Sequence, residues 1–187
     1  MMTQHAGWVE VIHSGAMYAG KTKELLRRLD RAKWARQSFV VVKPILDNRY
    51  HTVNIVTHTG ESLTAHPVVN PYQIIPLTSG IEIVAIDEAN FFPPSLVPVV
   101  QTLCNLEKRV IIAGLSITSE GEPFGCMPNL LAIADDITTL HGVCACCGAS
   151  ATKTKALIPK KDVIHVGGKN EYEPRCNKCW RIKIVPN

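Results

Sequence analysis

A strand-like run, WVEVIH (Trp8–His13), leads through Ser14 into GAMYAGKT (Gly15–Thr22), and a basic amphipathic segment follows. The spacing G-x-x-x-x-G-K-[ST] is that of a phosphate-cradling loop, which belongs between a parallel strand and a helix N-terminus. Its context fits. KTKELLRRLDRAKWAR places Leu25, Leu26, Leu29 and Ala32 on one helical face, and SFVVVK (Ser38–Lys43) is a β-branched run suited to a buried strand. Strand, loop, helix and strand make a βαβ unit, which requires a parallel sheet. In such a loop the backbone N–H groups of Gly15, Ala16, Met17, Tyr18, Ala19 and Gly20 face one concavity, and the helix terminus adds partial positive charge. Lys21 then reaches the β- and γ-phosphates of ATP, and the Thr22 hydroxyl ligates Mg²⁺.

IEIVAIDE (Ile81–Glu88) reads as a second buried strand that ends in two carboxylates, and RVIIAGL as a third. SLVPVVQTLCNLE has a helical pattern with Pro98 in its first turns, and GEPFG marks a turn before a helix around Leu130. Between Pro44 and Pro76 the pattern is irregular, with short strand-like pieces such as TVNIVTH. After Asp136 cysteine, glycine and lysine take over. The expected division is residues 1–140 as a nucleotide-binding α/β domain and 141–187 as a zinc-binding domain. With 46% hydrophobic and 19% charged residues in 187, the chain can bury an ordinary core. A net charge of +4 suits anionic ligands and decides little else. No run is long enough to span a bilayer and no leader pattern opens the chain, so the expectation is a cytoplasmic protein.

Ligands of parallel α/β sheets bind beyond the carboxyl ends of the strands, where Asp87 and Glu88 stand. The first acid is placed to hold Mg²⁺ opposite Thr22, and the second to act as general base near the γ-phosphate. Two classes remain open on these residues alone. Glu88 can activate water, giving an ATPase that uses a basic lobe (Lys153, Lys155, Lys160, Lys161) to hold nucleic acid, or a substrate hydroxyl, giving a kinase.

Five of the seven cysteines fall between Cys144 and Cys179. Cys144-x-x-Cys147 and Cys176-x-x-Cys179 have the spacing of a closed, structural four-thiolate zinc site. Cys146 breaks that spacing and reads as a bystander, with a Cys144/Cys146 pairing left open. A dithiol redox pair is the alternative. The interval between the knuckles is long enough to loop out as a tethered hairpin. Cys104 and Cys126 read as ordinary core residues.

GAMYAGKT, KPILDNRY, IDEANFF, GEPFG and a cysteine hairpin carrying HVGGKNEY, in that order from about Gly7 to Ile182, resemble the type II (zinc-containing, cytosolic-type) thymidine kinases. The resemblance implies a RecA-like parallel sheet flanked by helices, with a small zinc domain whose lasso loop closes over a nucleoside, usually in a homotetramer. It implies γ-phosphate transfer from ATP to the 5′-hydroxyl of thymidine. Glu88 then matches the catalytic base and Asp87 the magnesium-side acid, while Asp47 and Arg49 match a D-x-R element near the phosphates. Met17, Phe91, Leu115, Thr154 and Tyr172 fall on positions that line or cover the thymine. Val163, His165 and Gly167 match the lasso backbone that reads the pyrimidine edge. The chain departs from the pattern at Asn90, where members commonly carry Gln, and at Ser116–Ser119, where an acid and an aromatic are usual. Those departures imply a looser thymidine preference, with deoxyuridine competing.

Overall fold

The structure is a computed structural model that describes residues 6–45, 54–56, 62–158 and 170–182. In chain order the strands are β1 (Val9–Ser14), β2 (Phe39–Pro44), β3 (Asn54–Val56), β4 (Ser62–Thr64), β5 (His66–Val68), β6 (Ile83–Ile86), β7 (Arg109–Leu115), β8 (Asp136–Thr139), β9 (Gly142–Val143), β10 (Ser150–Ala151), β11 (Lys153–Ala156) and β12 (Tyr172–Arg175). The α-helices are α1 (Lys21–Trp34), α2 (Leu96–Asn105), α3 (Met127–Ala132) and α4 (Asn177–Trp180), and a 3₁₀ helix runs over Pro71–Thr78.

Six strands form one sheet in the order β5-β2-β6-β7-β1-β8, with every neighbouring pair parallel. The expected β1-α1-β2 unit is present, but β6 and β7 lie between its two strands. Helices cover both faces, which is why the strands read as continuous apolar runs. On one face Val9, Val11, Val42, Val84, Ile86 and Ile112 pack against residues of the 3₁₀ helix, α2 and α3. On the other, Ile12, Val41, Ala85, Ile111 and Ala113 meet Leu25, Leu26, Leu29 and Ala32 of α1. The predicted helical face is thus the buried one. Pro98 is accommodated as the third residue of α2, where a backbone N–H has no intrahelical partner to lose.

Beneath α1 lies a buried ion cluster. Glu10 on β1 is 4% exposed and accepts from Arg109 on β7 and from Arg28 on α1. Arg28 also donates to Glu24 at 3.0 Å and to Thr138 on β8 at 2.7 Å. Burial raises the Glu10 pKa, but the Arg109 and Arg28 guanidiniums outweigh it and hold the carboxyl below its usual range. The cluster ties the helix behind the phosphate loop to three neighbouring strands.

The C-terminal segment begins where β8 completes the sheet. β9 pairs antiparallel with β10 around the first cysteine knuckle, and β11 pairs antiparallel with β12, which joins the two described ends of the interval between the knuckles. This segment packs on the phosphate loop: Ala16 and Ala151 share a small buried cluster with Cys144 and Cys179.

Candidate active site and four-cysteine centre

The phosphate loop leaves β1 at Ser14, which is fully buried and whose Oγ accepts the Ala16 N–H at 3.0 Å. The next amide, Met17 N–H, donates to Thr154 Oγ1 at 2.9 Å, and that hydroxyl donates in turn to Gly15 O at 3.1 Å. Two loop amides, those of Ala16 and Met17, are therefore held by the protein's own side chains. Gly15 is glycine because a Cβ there would sit 2.2 Å from Thr152 O and 2.8 Å from Ile117 Cδ1. Gly20 caps α1 with φ +87°, a left-handed conformation that suits glycine. Lys21 is half-buried. Burial lowers its ammonium pKa, and the nearby Glu88 and Asp87 charges pull it back up.

Asp87 closes β6. It is 6% exposed; its Oδ2 accepts from Thr22 Oγ1 at 3.2 Å and its Oδ1 from the Glu88 N–H at 3.0 Å. β7 separates β6 from β1, so the acid reaches the phosphate loop across one intervening strand. Burial, then the adjacent Glu88 charge, pushes its pKa up to about 7. Glu88 itself takes a left-handed backbone at φ +53°, an unfavourable state for a side-chain-bearing residue. The strand stops at Ile86 rather than Glu88 because this turn diverts the chain from the sheet. A hydroxyl and a buried carboxylate side by side are hard oxygen donors of the kind that hold Mg²⁺.

Downstream, Asn90 is 2% exposed and its Oδ1 accepts the Leu115 N–H at 2.9 Å, which joins the acid-bearing turn to the end of β7. The half-buried Phe91 ring meets Phe124 edge to face, with centroids 5.3 Å apart and planes at 82°. Leu115 and Thr154 are buried, and Tyr172, also buried, stands on β12 opposite Ala156. The structure thus brings Thr22 to Asp87, Met17 to Thr154, and Phe91 through Asn90 to Leu115. Asp47, Arg49, Val163, His165 and Gly167 lie outside the described residues. Sequence reasoning missed Ser14, the Phe124 contact and Trp180. Phe124 was in view inside GEPFG, but only as part of a turn.

The Sγ atoms of Cys144, Cys147, Cys176 and Cys179 all lie within 4.8 Å of one another, and Cys146 is exposed outside the group. Cys147 Sγ is 3.7 Å from both Cys176 Sγ and Cys179 Sγ. A zinc ion with Zn–S bonds of about 2.3 Å has tetrahedral edges of about 3.8 Å, so these sulfurs are compatible with a structural zinc site. The Cys176 N–H, joined by other knuckle amides, lowers the Cys144 thiol to about 6. The Cys179 N–H likewise favours the Cys176 thiolate, whereas the Cys176 side chain drives the Cys179 pKa upward.

Residues 7–180 match the family described as Thymidine kinase. The chain belongs to the thymidine kinase family. It is 49% identical over 177 residues to a Coprothermobacter proteolyticus protein named thymidine kinase, covering 91% of this chain and 89% of that one. A Rhodothermus protein of the same name is 44% identical over 175 residues (94% and 82%), and one from Bacteroides thetaiotaomicron 42% over 178 (95% and 89%). Family membership runs through both the phosphate-loop sheet and the cysteine centre, and it does not favour the nucleic-acid ATPase. No helix among the described residues is long and apolar enough to cross a membrane.

Proposed function

We propose that this thymidine kinase family member transfers the γ-phosphate of ATP to the 5′-hydroxyl of thymidine, with deoxyuridine as a second acceptor. The observation that supports the reading is the 3.2 Å hydrogen bond from Thr22 on the phosphate loop to Asp87, which joins the acid-bearing turn to that loop. The amides toward Lys21 and Thr22 and the Lys21 ammonium hold the phosphates. The Thr22 hydroxyl and Asp87 would hold Mg²⁺, which would supply charge neutralisation to the transferring phosphate. Glu88 accepts the 5′-hydroxyl proton as the phosphoryl group leaves ADP, and Asp47 and Arg49 act on its developing charge. Met17, Phe91, Leu115, Thr154 and Tyr172 form the thymine pocket. Val163, His165 and Gly167 read the pyrimidine edge through their backbone, and their segment excludes water.

The four cysteines hold a structural Zn²⁺, residues 1–140 and 141–187 act as nucleotide and zinc domains, and the working form is a cytoplasmic homotetramer. The test is ADP release from Mg·ATP without nucleoside and with thymidine, deoxyuridine or deoxycytidine. Release that requires thymidine, is weaker with deoxyuridine and is absent with deoxycytidine is the expected result. Release indifferent to every nucleoside would return the Asp87–Glu88 pair to water activation.

A further inference from the structure

Trp180 follows Cys179 directly and ends α4. Its indole N–H donates to two carbonyls at once, Thr154 O on β11 at 2.9 Å and Ser119 O, beyond the end of β7, at 3.1 Å. Lys155 Nζ donates to Trp180 O at 2.8 Å, and the Lys153 and Lys155 ammonium groups stand 5.5 and 5.8 Å from the ring centroid. The ring backs onto Gly121 in the Ser119-bearing segment. One half-buried side chain therefore touches three separate pieces: the cysteine knuckle, the β11–β12 hairpin, and the loop between Leu115 and Phe124.

Each contact leads to the proposed site in one further step. Along β11 side chains alternate between faces, so Lys153 and Lys155 accompany the indole while the Thr154 hydroxyl turns to Met17 N–H and Gly15 O of the phosphate loop. On the other branch, Phe124 N–H donates to Ser116 O at 3.1 Å and Thr118 N–H donates to Glu122 O at 2.8 Å, which closes the loop on itself between Leu115 and the Phe91–Phe124 pair. A shift of the indole moves both branches together. This three-centre bond links the cysteine knuckle directly to both walls.

We propose that Trp180 is a positioning residue for nucleoside binding. By donating to Thr154 and Ser119 together, it fixes the spacing between the phosphate loop and the Leu115–Phe124 wall, and so the fit of the nucleoside pocket between them. This inference rests on the kinase reading above. It acts through Thr154 and Ser119 and involves no titration.

The variant to make is Trp180→Phe, which keeps an aromatic ring under the lysines and removes the N–H. Five quantities are read: zinc per chain, KM for ATP, KM for thymidine, kcat, and amide hydrogen exchange in the ligand-free protein. The expected result is unchanged zinc, KM for thymidine raised by about tenfold with a smaller rise for ATP, and kcat within about twofold. The Met17 amide exchanges faster while the β6 and β7 amides do not change, a local signature that a merely structural role would not give. Retained zinc with unaltered KM values and unaltered Met17 exchange would overturn the proposal. Loss of zinc or of the cooperative fold in Trp180→Phe would also overturn it, because Trp180 would then be part of the knuckle's own architecture. Wild-type protein lacking thymidine-dependent ADP release would instead break the kinase reading. The Met17 exchange comparison needs no turnover and tests the clamp in either case.

Discussion

Two carboxylates are buried in the same parallel sheet, and they are treated in opposite ways. Glu10 sits near the start of β1 with two guanidiniums on its oxygens, and its pKa is pulled below the ordinary range. Asp87 sits just past the end of β6 with a hydroxyl and one backbone amide, beside a second acid, and its pKa is pushed up to about 7. Burying a charge is costly unless it is paired. At Glu10 the fold itself supplies the partners, so the group holds α1 to the sheet. At Asp87 the fold leaves the charge short of positive partners, and Lys21 acts on it through its charge alone. The strand ends that carry ligand chemistry are the ends where the protein tolerates an unbalanced acid.

This contrast breaks most sharply on activity. On the proposed role of Asp87 at the Mg²⁺ side, Asp87→Asn is expected to lower kcat/KM by about 10³-fold or more, while Glu10→Gln leaves the kcat of folded protein unchanged. Steady-state kinetics on both variants checks it. Stability should reverse the order. Glu10→Gln takes the shared carboxylate from Arg109 and Arg28, of which Arg28 keeps Glu24, and is expected to cost about 3 kcal/mol, read from denaturant midpoints.

The pH dependence sharpens the same comparison. Glu10, with a lowered folded-state pKa, contributes stability that is present above its unfolded value of 4.5 and is lost as pH falls through the folded value. Asp87, raised from 3.8 to about 7, does the reverse: its carboxylate destabilises the ligand-free fold increasingly as pH climbs between those values. Melting curves from pH 3 to 8 should show the acid limb flattened in Glu10→Gln and the fall toward neutrality flattened in Asp87→Asn. The smallest effect expected is a gain. At pH 8, ligand-free Asp87→Asn should melt higher than wild type, by roughly 2–4 °C for each kcal/mol of relieved burial cost.

Much of this was legible because the signals are local. The phosphate loop announces itself within Gly15–Thr22, the acids follow a β-branched run, and each cysteine pair is spaced for one knuckle. The parallel sheet follows from runs such as RVIIAGL, whereas its edge strands β5 and β8 are too short and too polar to read as strands. What was not legible depends on partners far apart in the chain. Thr154 meets Met17 across 137 residues, and Trp180 meets Ser119 across 61. The reason for Gly15 is of this kind: the room its missing Cβ leaves is taken by the Thr152 carbonyl, far along the chain. The insertion of β6 and β7 between β1 and β2 is likewise a matter of strand order, which no periodicity encodes. Glu10 reads as an odd acid in an apolar strand until Arg28 and Arg109 are seen around it.

The central claim is that the Asp87–Glu88 pair serves transfer to a nucleoside hydroxyl. The most direct measurement is thymidine monophosphate formed per ADP released, for wild type and for Glu88→Gln, each with Mg·ATP and thymidine. The account predicts one thymidine monophosphate per ADP in wild type. For Glu88→Gln it predicts a turnover lower by about 10²- to 10⁴-fold, although both ligands still raise the variant's melting temperature. ADP released without matching thymidine monophosphate, or a Glu88→Gln enzyme that turns over at the wild-type rate, would contradict it.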